Sequence, residues 1–236
     1  MNKYILFLLL FVSIFSCSSD ETLQITIEEE EQPEEIQRFS FLALGDSYTI
    51  GQGVTESESW PFQLQNVLTS ETQQIEEVKV IAQTGWTTSN LLSAIETQDP
   101  GNYDIVSLLI GVNNQFQRID FTVFESEFNL LLNKAISLAN GNKKKVFVVS
   151  IPDYGVTPFG SNNSDVIAEE IDIYNTYIQQ QCEAQEIPFI DVTSISRNLG
   201  DSEGALATDN LHPSANQYRL WVEEILPVVQ GILVMN

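Results

Sequence analysis

Residues 39–49 read Phe-Ser-Phe-Leu-Ala-Leu-Gly-Asp-Ser-Tyr-Thr, a nearly unbroken apolar run that passes directly into a glycine, an acid and a serine. A short apolar run that ends in a turn signal is typical of a buried strand. The stretch therefore predicts a buried strand over Phe39–Leu44, and it places Ser47 just beyond the end of that strand.

The rest of the chain repeats this pattern, with short apolar runs alternating with longer amphipathic stretches. Such alternation is typical of a parallel sheet whose strands are connected by crossover helices. We expect one α/β domain, residues 38–236, with a five-stranded parallel sheet in a three-layer α/β/α arrangement. The predicted strands are Phe39–Leu44, Val78–Ala82, Ile105–Ile110, Val146–Ser150 and Phe189–Val192. The predicted helices are Trp60–Ser70, Ser89–Glu96, Phe124–Ala139, Asp165–Gln185 and Ser214–Gln230.

Distinctive loops follow four of the five predicted strands. Open parallel sheets bind their ligands beyond the carboxyl ends of the strands, so these loops are expected to meet at one chemically active edge. The four loops are Gly45-Asp46-Ser47, Gln83-Thr84-Gly85-Trp86-Thr87-Thr88, Gly111-Val112-Asn113-Asn114 and Pro152-Asp153-Tyr154-Gly155.

The N-terminal segment has the layout of an export signal. Lys3 precedes an apolar run, Tyr4–Phe15, which is shorter than the about 20 residues that a membrane-spanning helix needs. The sequence Ile-Phe-Ser-Cys at residues 14–17 also resembles a bacterial lipobox. We expect a signal peptide at residues 1–16 and a lipid anchor at Cys17 that holds the protein at a membrane, in the periplasm or on the cell surface. An ordinary cleaved signal with an incidental Cys17 is the alternative.

Residues 17–37 form an acidic segment behind that cysteine. Eight acidic residues and no basic residue lie between Ser18 and Gln37. A run of like charges repels itself and stays solvated. We expect residues 17–37 to be a linker between lipid and domain, with an acidic arm that binds a partner as the alternative.

Composition narrows the function classes. The net charge of −23 disfavours binding to nucleic acid, which requires clustered lysine and arginine. One histidine and two cysteines, one of them Cys17, support neither a disulfide framework nor a zinc cluster. The sequence therefore predicts no cofactor, and it predicts that Cys182 is a buried helix residue. It leaves the oligomeric state open.

His212 is the one histidine of the chain and therefore the single candidate for imidazole chemistry. A serine hydroxyl becomes an effective nucleophile when a base takes its proton, so Ser47 and His212 are a candidate pair. Asp209 lies three residues before His212, close enough to accept a hydrogen bond from the far ring nitrogen and to fix the tautomer. Pro213 is expected at the first position of the last helix.

Four sequence blocks together resemble the SGNH, or GDSL-type, hydrolase family over residues 39–229. The resemblance implies a flavodoxin-like fold and a serine esterase in which Ser47 is the nucleophile, His212 the base and Asp209 the orienting acid. It further implies an oxyanion hole formed by the backbone N–H groups of Ser47 and Gly85 and by the Asn113 amide. Glycine at position 85 is expected because a side chain would obstruct the approach of substrate to the backbone. The blocks are Gly45-Asp46-Ser47-Tyr48-Thr49, Thr84-Gly85-Trp86, Gly111-Val112-Asn113-Asn114 and Asp209-Asn210-Leu211-His212-Pro213.

Several alternatives stay open at this point. Asn114 replaces the aspartate that is common in this family, which we expect to alter local hydrogen bonding more than activity. The loop aromatics either line a substrate pocket or plug the domain edge. The expected substrate is a small ester of unspecified acyl length. The alternative function is a surface lipoprotein that binds glycan or lipid without catalysis, which the intact blocks disfavour. The pocket candidates are Trp86, Phe116, Tyr154 and Phe159.

Overall fold

Five parallel strands form the sheet of this computed structural model, which describes residues 36–68 and 73–234. The strands are β1 (Gln37–Gly45), β2 (Gln73–Ala82), β3 (Ile105–Leu109), β4 (Val146–Val149) and β5 (Phe189–Ile190). Their order across the sheet is β2-β1-β3-β4-β5, with each neighbouring pair parallel. The strand order reverses between β1 and β3, and open parallel sheets bind ligands at such a switch point.

Helices cover both faces of this sheet. Helix α2 packs against β2 and α8, whereas α3 packs against α5 and α5 packs against α6. The right-handed crossovers that parallel strands almost always adopt put these two groups on opposite faces. The predicted three-layer fold with five parallel strands is confirmed. The helices are α1 (Ser47–Ile50), α2 (Trp60–Leu68), α3 (Thr88–Gln98), α4 (Val112–Phe116), α5 (Phe121–Leu138), α6 (Ser164–Gln185), α7 (Thr193–Leu199) and α8 (Ala215–Val234).

Aromatic packing joins the middle of the sheet to α2. The ring of Phe41 on β1 lies 6.0 Å from the ring of Trp60 and 6.0 Å from the ring of Phe147 on β4, measured between centroids. All three side chains are buried. Large aromatic side chains contribute much of the free energy of a core, so this cluster holds the central strand that leads to Ser47.

The structure differs from the sequence-based elements mainly at the edges. Strand β2 begins at Gln73, five residues before the predicted start at Val78, because an edge strand needs no continuous apolar run in order to pair with β1. The short helices α1, α4 and α7 were absent from the prediction. They contain 4, 5 and 7 residues, too few to show a helical period.

The predicted signal peptide, the lipidation site Cys17 and almost all of the acidic linker lie outside the described residues. Within residues 36–68 and 73–234, no helix combines the length and the apolar character that a bilayer crossing needs. Cys182 is buried on α6, as predicted, and burial raises the pKa of its thiol to about 12.

Two adjacent leucines on α5 provide a matched test of this packing. Leu131 is fully buried, whereas the side chain of Leu130 is 57% exposed. We expect Leu131→Ala to lower the free energy of unfolding by about 2–5 kcal/mol, because it leaves a cavity in the core. Leu130→Ala should change it by about 0.5 kcal/mol or less. Urea denaturation measures both values, and equal values for the two variants would contradict the orientation of α5.

Candidate active site

A sharp turn at the end of β1 presents Ser47. Asp46 caps α1, since its Oδ1 accepts a hydrogen bond from the Tyr48 backbone N–H at 3.0 Å. Gly45 leaves no room for a side chain, because an added Cβ would lie 2.1 Å from Thr49 Oγ1 and 2.6 Å from a carbonyl oxygen of β3. These contacts hold α1 against the switch point, and they fix the position of Ser47.

The carboxyl group of Asp46 is fully buried beneath this turn. Its Oδ2 has no hydrogen-bond partner among the described residues, and burial raises the pKa of Asp46 to about 7. Its other oxygen, Oδ1, accepts the hydrogen bond from the loop backbone at Tyr48. Asp46 therefore stabilises the turn that carries Ser47.

Asp209 holds the ring of His212. The His212 Nδ1 lies 2.7 Å from Asp209 Oδ2, and Asp209 Oδ1 accepts hydrogen bonds from the backbone N–H groups of Leu211 and His212, each at 3.0 Å. Burial alone would raise the pKa of Asp209, but these hydrogen bonds outweigh it and lower that pKa. The structure therefore places Asp209 in hydrogen-bond contact with His212, and the role of Asp209 as the orienting acid stays a prediction.

The chain around His212 is held by pairing with a preceding segment. The backbone N–H of Ala207 donates to the His212 carbonyl oxygen at 2.8 Å, and Leu206 forms a β-bridge with Pro213. The prediction that Pro213 opens the last helix was wrong, because this bridge keeps Pro213 extended and α8 begins at Ala215.

Gly53 brings the loop after α1 into contact with Asp209. An added Cβ at Gly53 would lie 2.7 Å from the Ala207 Cβ and 3.3 Å from Asp209 Oδ2. Gly53 also has a φ of 90°, which L side chains rarely adopt. The sequence analysis did not identify Gly53. The two closely spaced glycines in Gly51-Gln52-Gly53 could have indicated a turn at this position.

The loop after β2 is fastened to α4 by two side-chain amides. The Asn113 Nδ2 donates to the Trp86 carbonyl oxygen at 2.9 Å, and the Gln117 Nε2 donates to the Gly85 carbonyl oxygen at 3.0 Å. No hydrogen bond within the described ranges uses the backbone N–H of Ser47 or of Gly85. These two N–H groups are therefore available as donors to a ligand.

The structure shows a further reason for glycine at position 85, and the predicted one, obstruction of the substrate, stays a prediction. Gly85 has a φ of 84°, and an added Cβ would meet no protein atom within 4 Å. The left-handed backbone conformation, which favours glycine, is therefore the reason that the structure itself shows.

Asn114 connects the same two loops from the buried side. Its Oδ1 accepts from the Thr88 backbone N–H at 3.0 Å, and its Nδ2 donates to the Thr88 Oγ1 at 2.7 Å. The Thr88 hydroxyl in turn donates to Glu127 at 2.5 Å. Because the Thr88 hydroxyl proton goes to Glu127, its oxygen can only accept a hydrogen bond from residue 114. Asparagine supplies that donor through Nδ2, and an aspartate at position 114 would have none.

A cavity of about 220 Å³ brings most of the predicted site residues together. Ser47, Gly85, Asn113 and His212 all line it. No hydrogen bond joins the Ser47 hydroxyl to His212 within the described part of the chain. Catalytic hydrogen bonds commonly tighten when substrate binds, so the shared cavity is the informative feature. The complete lining is Ser47, Tyr48, Thr84, Gly85, Val112, Asn113, Phe116, Tyr154, Phe159, Leu211 and His212.

Three of the four predicted pocket aromatics line this cavity. Phe116 and Phe159 are 52% and 55% exposed at its rim, and Tyr154 is buried between them and the core. Trp86 is not among the lining residues. It packs against the hydrophobic core, and its carbonyl oxygen is the acceptor for Asn113.

The buried carboxyl of Asp46 predicts a specific dependence of stability on pH. Its pKa of about 7 in the folded state exceeds its ordinary value of 3.8, so the folded chain binds the proton more tightly. The free energy of unfolding should therefore fall as pH rises from about 4 to about 7. The asparagine in Asp46→Asn cannot titrate. As pH rises from about 4 to about 7, we therefore expect the free energy of unfolding of this variant to increase, relative to that of the unsubstituted protein, by a few kcal/mol.

Urea denaturation at several pH values measures this difference. Asp120→Asn is the control, because hydrogen bonds from Thr122 lower the pKa of exposed Asp120 below its ordinary value of 3.8. Its difference from the unsubstituted protein should therefore change little between about pH 4 and about pH 7 and, below about pH 4, should change in the opposite direction. A constant difference between Asp46→Asn and the unsubstituted protein would show that the Asp46 pKa is not raised.

Comparison of the sequence with known protein families identifies the family of this chain. Residues 43–220 match the GDSL-like lipase/acylhydrolase family, and this range contains all four sequence blocks. No curated protein matches the chain.

Solved structures share the fold. A member of the lipolytic protein G-D-S-L family from Veillonella parvula DSM 2008 is 22% identical with a TM-score of 0.57, and the match covers 81% of this chain and 98% of that one. Phospholipase A1 from Streptomyces albidoflavus NA297 is 18% identical with a TM-score of 0.62, over 82% and 98% of the two chains. An extracellular lipase from Streptomyces rimosus is 18% identical with a TM-score of 0.63, over 82% and 99%. The chain belongs to the GDSL-like lipase/acylhydrolase family and is a carboxylic ester hydrolase.

Proposed function

We propose that the protein is a serine esterase that works through an acyl-enzyme. Ser47 is the nucleophile, His212 the general base and Asp209 the acid that orients the base. The observation that carries this proposal is the position of Ser47 and His212 in one cavity, with the His212 Nδ1 held 2.7 Å from Asp209. That contact leaves the other ring nitrogen, Nε2, for the serine proton.

The first half of the reaction forms the acyl-enzyme. The Ser47 Oγ attacks the ester carbonyl carbon while His212 Nε2 takes the hydroxyl proton. The ionised Asp209 stabilises the imidazolium that results, and the low pKa of Asp209 favours this role. When the tetrahedral intermediate collapses, the bond to the alcohol oxygen breaks. His212 returns its proton to that oxygen, and the alcohol leaves.

The oxyanion of the intermediate is stabilised by donors from three loops. These are the backbone N–H groups of Ser47 and Gly85 and the second hydrogen of the Asn113 amide, whose first hydrogen goes to Trp86. Donors fixed in advance cost no reorganisation when charge develops. The hydrogen bond of Gln117 to Gly85 contributes by keeping the Gly85 loop in place.

The second half releases the acid. His212 takes a proton from water, the water oxygen attacks the acyl carbon, and the bond to Ser47 Oγ breaks as the proton returns to the serine. The cavity is smaller than the about 300–1,000 Å³ that is common for drug-sized ligands. We therefore propose that this cavity receives one part of the ester, the acyl group, and that the alcohol half lies outside it.

Removal of the nucleophile tests this function. We expect Ser47→Ala to reduce kcat/KM for p-nitrophenyl acetate by about 10⁴-fold or more, because no other residue replaces the attacking oxygen. A fluorophosphonate probe should label the unsubstituted protein and fail to label this variant, since labelling requires an activated hydroxyl.

Ser126→Ala is the matched control, because Ser126 lies on the surface helix α5 and its hydroxyl only donates to a backbone carbonyl. It should keep both turnover and labelling. If the unsubstituted protein neither reacts with the probe nor cleaves the ester, the protein is a binder on the same fold. Turnover that survives in Ser47→Ala would remove Ser47 from the reaction.

We also propose that the chain is exported and anchored to a membrane through lipid on Cys17. The support is the short apolar run before a cysteine and the acidic segment behind it. We expect the full chain, expressed in a bacterium, to fractionate with membranes and to incorporate labelled palmitate. Cys17→Ser should lose the label and become soluble. If the unsubstituted protein and Cys17→Ser fractionate and label alike, the anchor is contradicted. Cys182→Ser is the control for nonspecific acylation and should keep the label.

A further inference from the structure

A second hollow adjoins the catalytic cavity. It has a volume of about 380 Å³ and shares three of its walls, Phe116, Tyr154 and Phe159, with that cavity. Its other walls include Arg118, on the loop after α4, and Glu170, on α6. The two hollows therefore share an aromatic wall, and a group that extends from an ester at Ser47 past this wall reaches the second hollow.

The aromatic rim offers exposed ring faces. Phe116 and Phe159 are each more than half exposed, and their ring centroids lie 5.8 Å apart. Tyr154 supports them from below, at 6.1 Å from Phe116 and 6.3 Å from Phe159. Exposed aromatic surface at a rim is a binding surface for a ligand that has an apolar face and polar edges.

The two charged side chains that line the hollow, Arg118 and Glu170, form no ion pair with each other. Neither Arg118 nor Glu170 forms an ion pair within the described residues. Glu170 instead accepts a hydrogen bond from Gln115 Nε2 at 2.5 Å, and Gln115 Oε1 accepts from the Tyr154 hydroxyl at 2.9 Å. The hollow thus presents a donor-only guanidinium and an acceptor-only carboxylate to the same ligand.

Arg118 is also held in an uncommon backbone conformation. Its φ is 56°, in the left-handed region that a bulky residue rarely occupies. Backbone hydrogen bonds on either side, from Arg118 to Gln115 and from Ile119 to Asn114, fix this conformation. Strain of this kind persists where the surroundings enforce it, and it clusters at binding and active sites.

We propose that this hollow binds the alcohol half of the substrate, and that this half is an uncharged polyol ring such as a sugar. The inference rests on the proposed esterase function. Sugar hydroxyls both donate and accept, so neighbouring hydroxyls satisfy Glu170 and Arg118 at once. The C–H face of the ring packs on Phe116 and Phe159. The two opposite charges cancel, and the net charge of −23 repels a free anion, so an anionic alcohol is the weaker fit.

Two acetate esters of equal ring size test this proposal. Monoacetyl glucose carries hydroxyls around its ring, whereas cyclohexyl acetate carries none, and both release acetic acid. We expect Arg118→Gln and Glu170→Gln each to lower the ratio of kcat/KM for the sugar ester to that for cyclohexyl acetate by about 10- to 100-fold, since each removes a charge-assisted hydrogen bond. The loss should lie mainly in KM, because the contact is remote from the reacting carbon.

Arg38→Gln and Glu76→Gln are the matched controls. Arg38 and Glu76 form an exposed ion pair on β1 and β2, on the side of the sheet where those strands begin. Each control changes the net charge by the same amount as its test variant, and each should keep the ratio of the unsubstituted protein. Thermal unfolding of all four variants verifies that they are folded.

Acetylated glucuronate distinguishes a polyol site from an anion site. At an anion site, Arg118→Gln would lower turnover of this acidic ester while Glu170→Gln would raise it, and the ratio for monoacetyl glucose would not move. That pattern, or an equal ratio in all variants, overturns the proposal. If the unsubstituted protein cleaves neither cyclohexyl acetate nor p-nitrophenyl acetate, the esterase function itself fails. If these esters are cleaved but the ratio of kcat/KM for monoacetyl glucose to that for cyclohexyl acetate is the same in all variants, the proposed subsite is refuted and the esterase function stands.

Discussion

The arrangement of the site depends on the absence of a side chain at Gly45. Thr49 on α1 and a β3 carbonyl oxygen occupy the space that a Cβ would need. The chain can therefore turn from a buried strand into a helix within two residues and place Ser47 in the wall of the cavity at the strand-order reversal. Everything else converges on that point, because the loops after β2 and β3 and the segment before α8 each contribute a wall of the same cavity.

Helix α4 organises the second side of the cavity. Asn113 and Gln117 on this short helix and its flank fix two successive carbonyl oxygens of the Gly85 loop, and Asn114 fixes the start of α3 from below. These three residues thus tie together the loops that follow β2 and β3, the two strands that flank β1 in the sheet. The result is a rigid set of donors built from loops, which would otherwise be the least ordered part of the fold.

Sequence patterns predicted the sheet, the long helices and most, but not all, of the residues that line the cavity, because each of these leaves a local signature. A buried strand is an apolar run, and Asp209 and His212 are close in the chain as well as in space. The remaining features depend on contacts between distant segments. Gly53 matters because it touches Ala207 and Asp209, and Arg118 matters because α6 brings Glu170 to its side. Pro213 was misplaced because its β-bridge to Leu206 has no local pattern.

The chain positions of the two proposed reacting groups have a consequence for the timing of activity. Ser47 follows the first strand of the domain, whereas His212 precedes its last helix and is held there by pairing with residues 205–207. A growing chain therefore contains its proposed nucleophile long before its proposed base. On the proposed mechanism, an incomplete chain lacks the base and cannot hydrolyse cellular esters, so hydrolysis begins when the whole domain has folded.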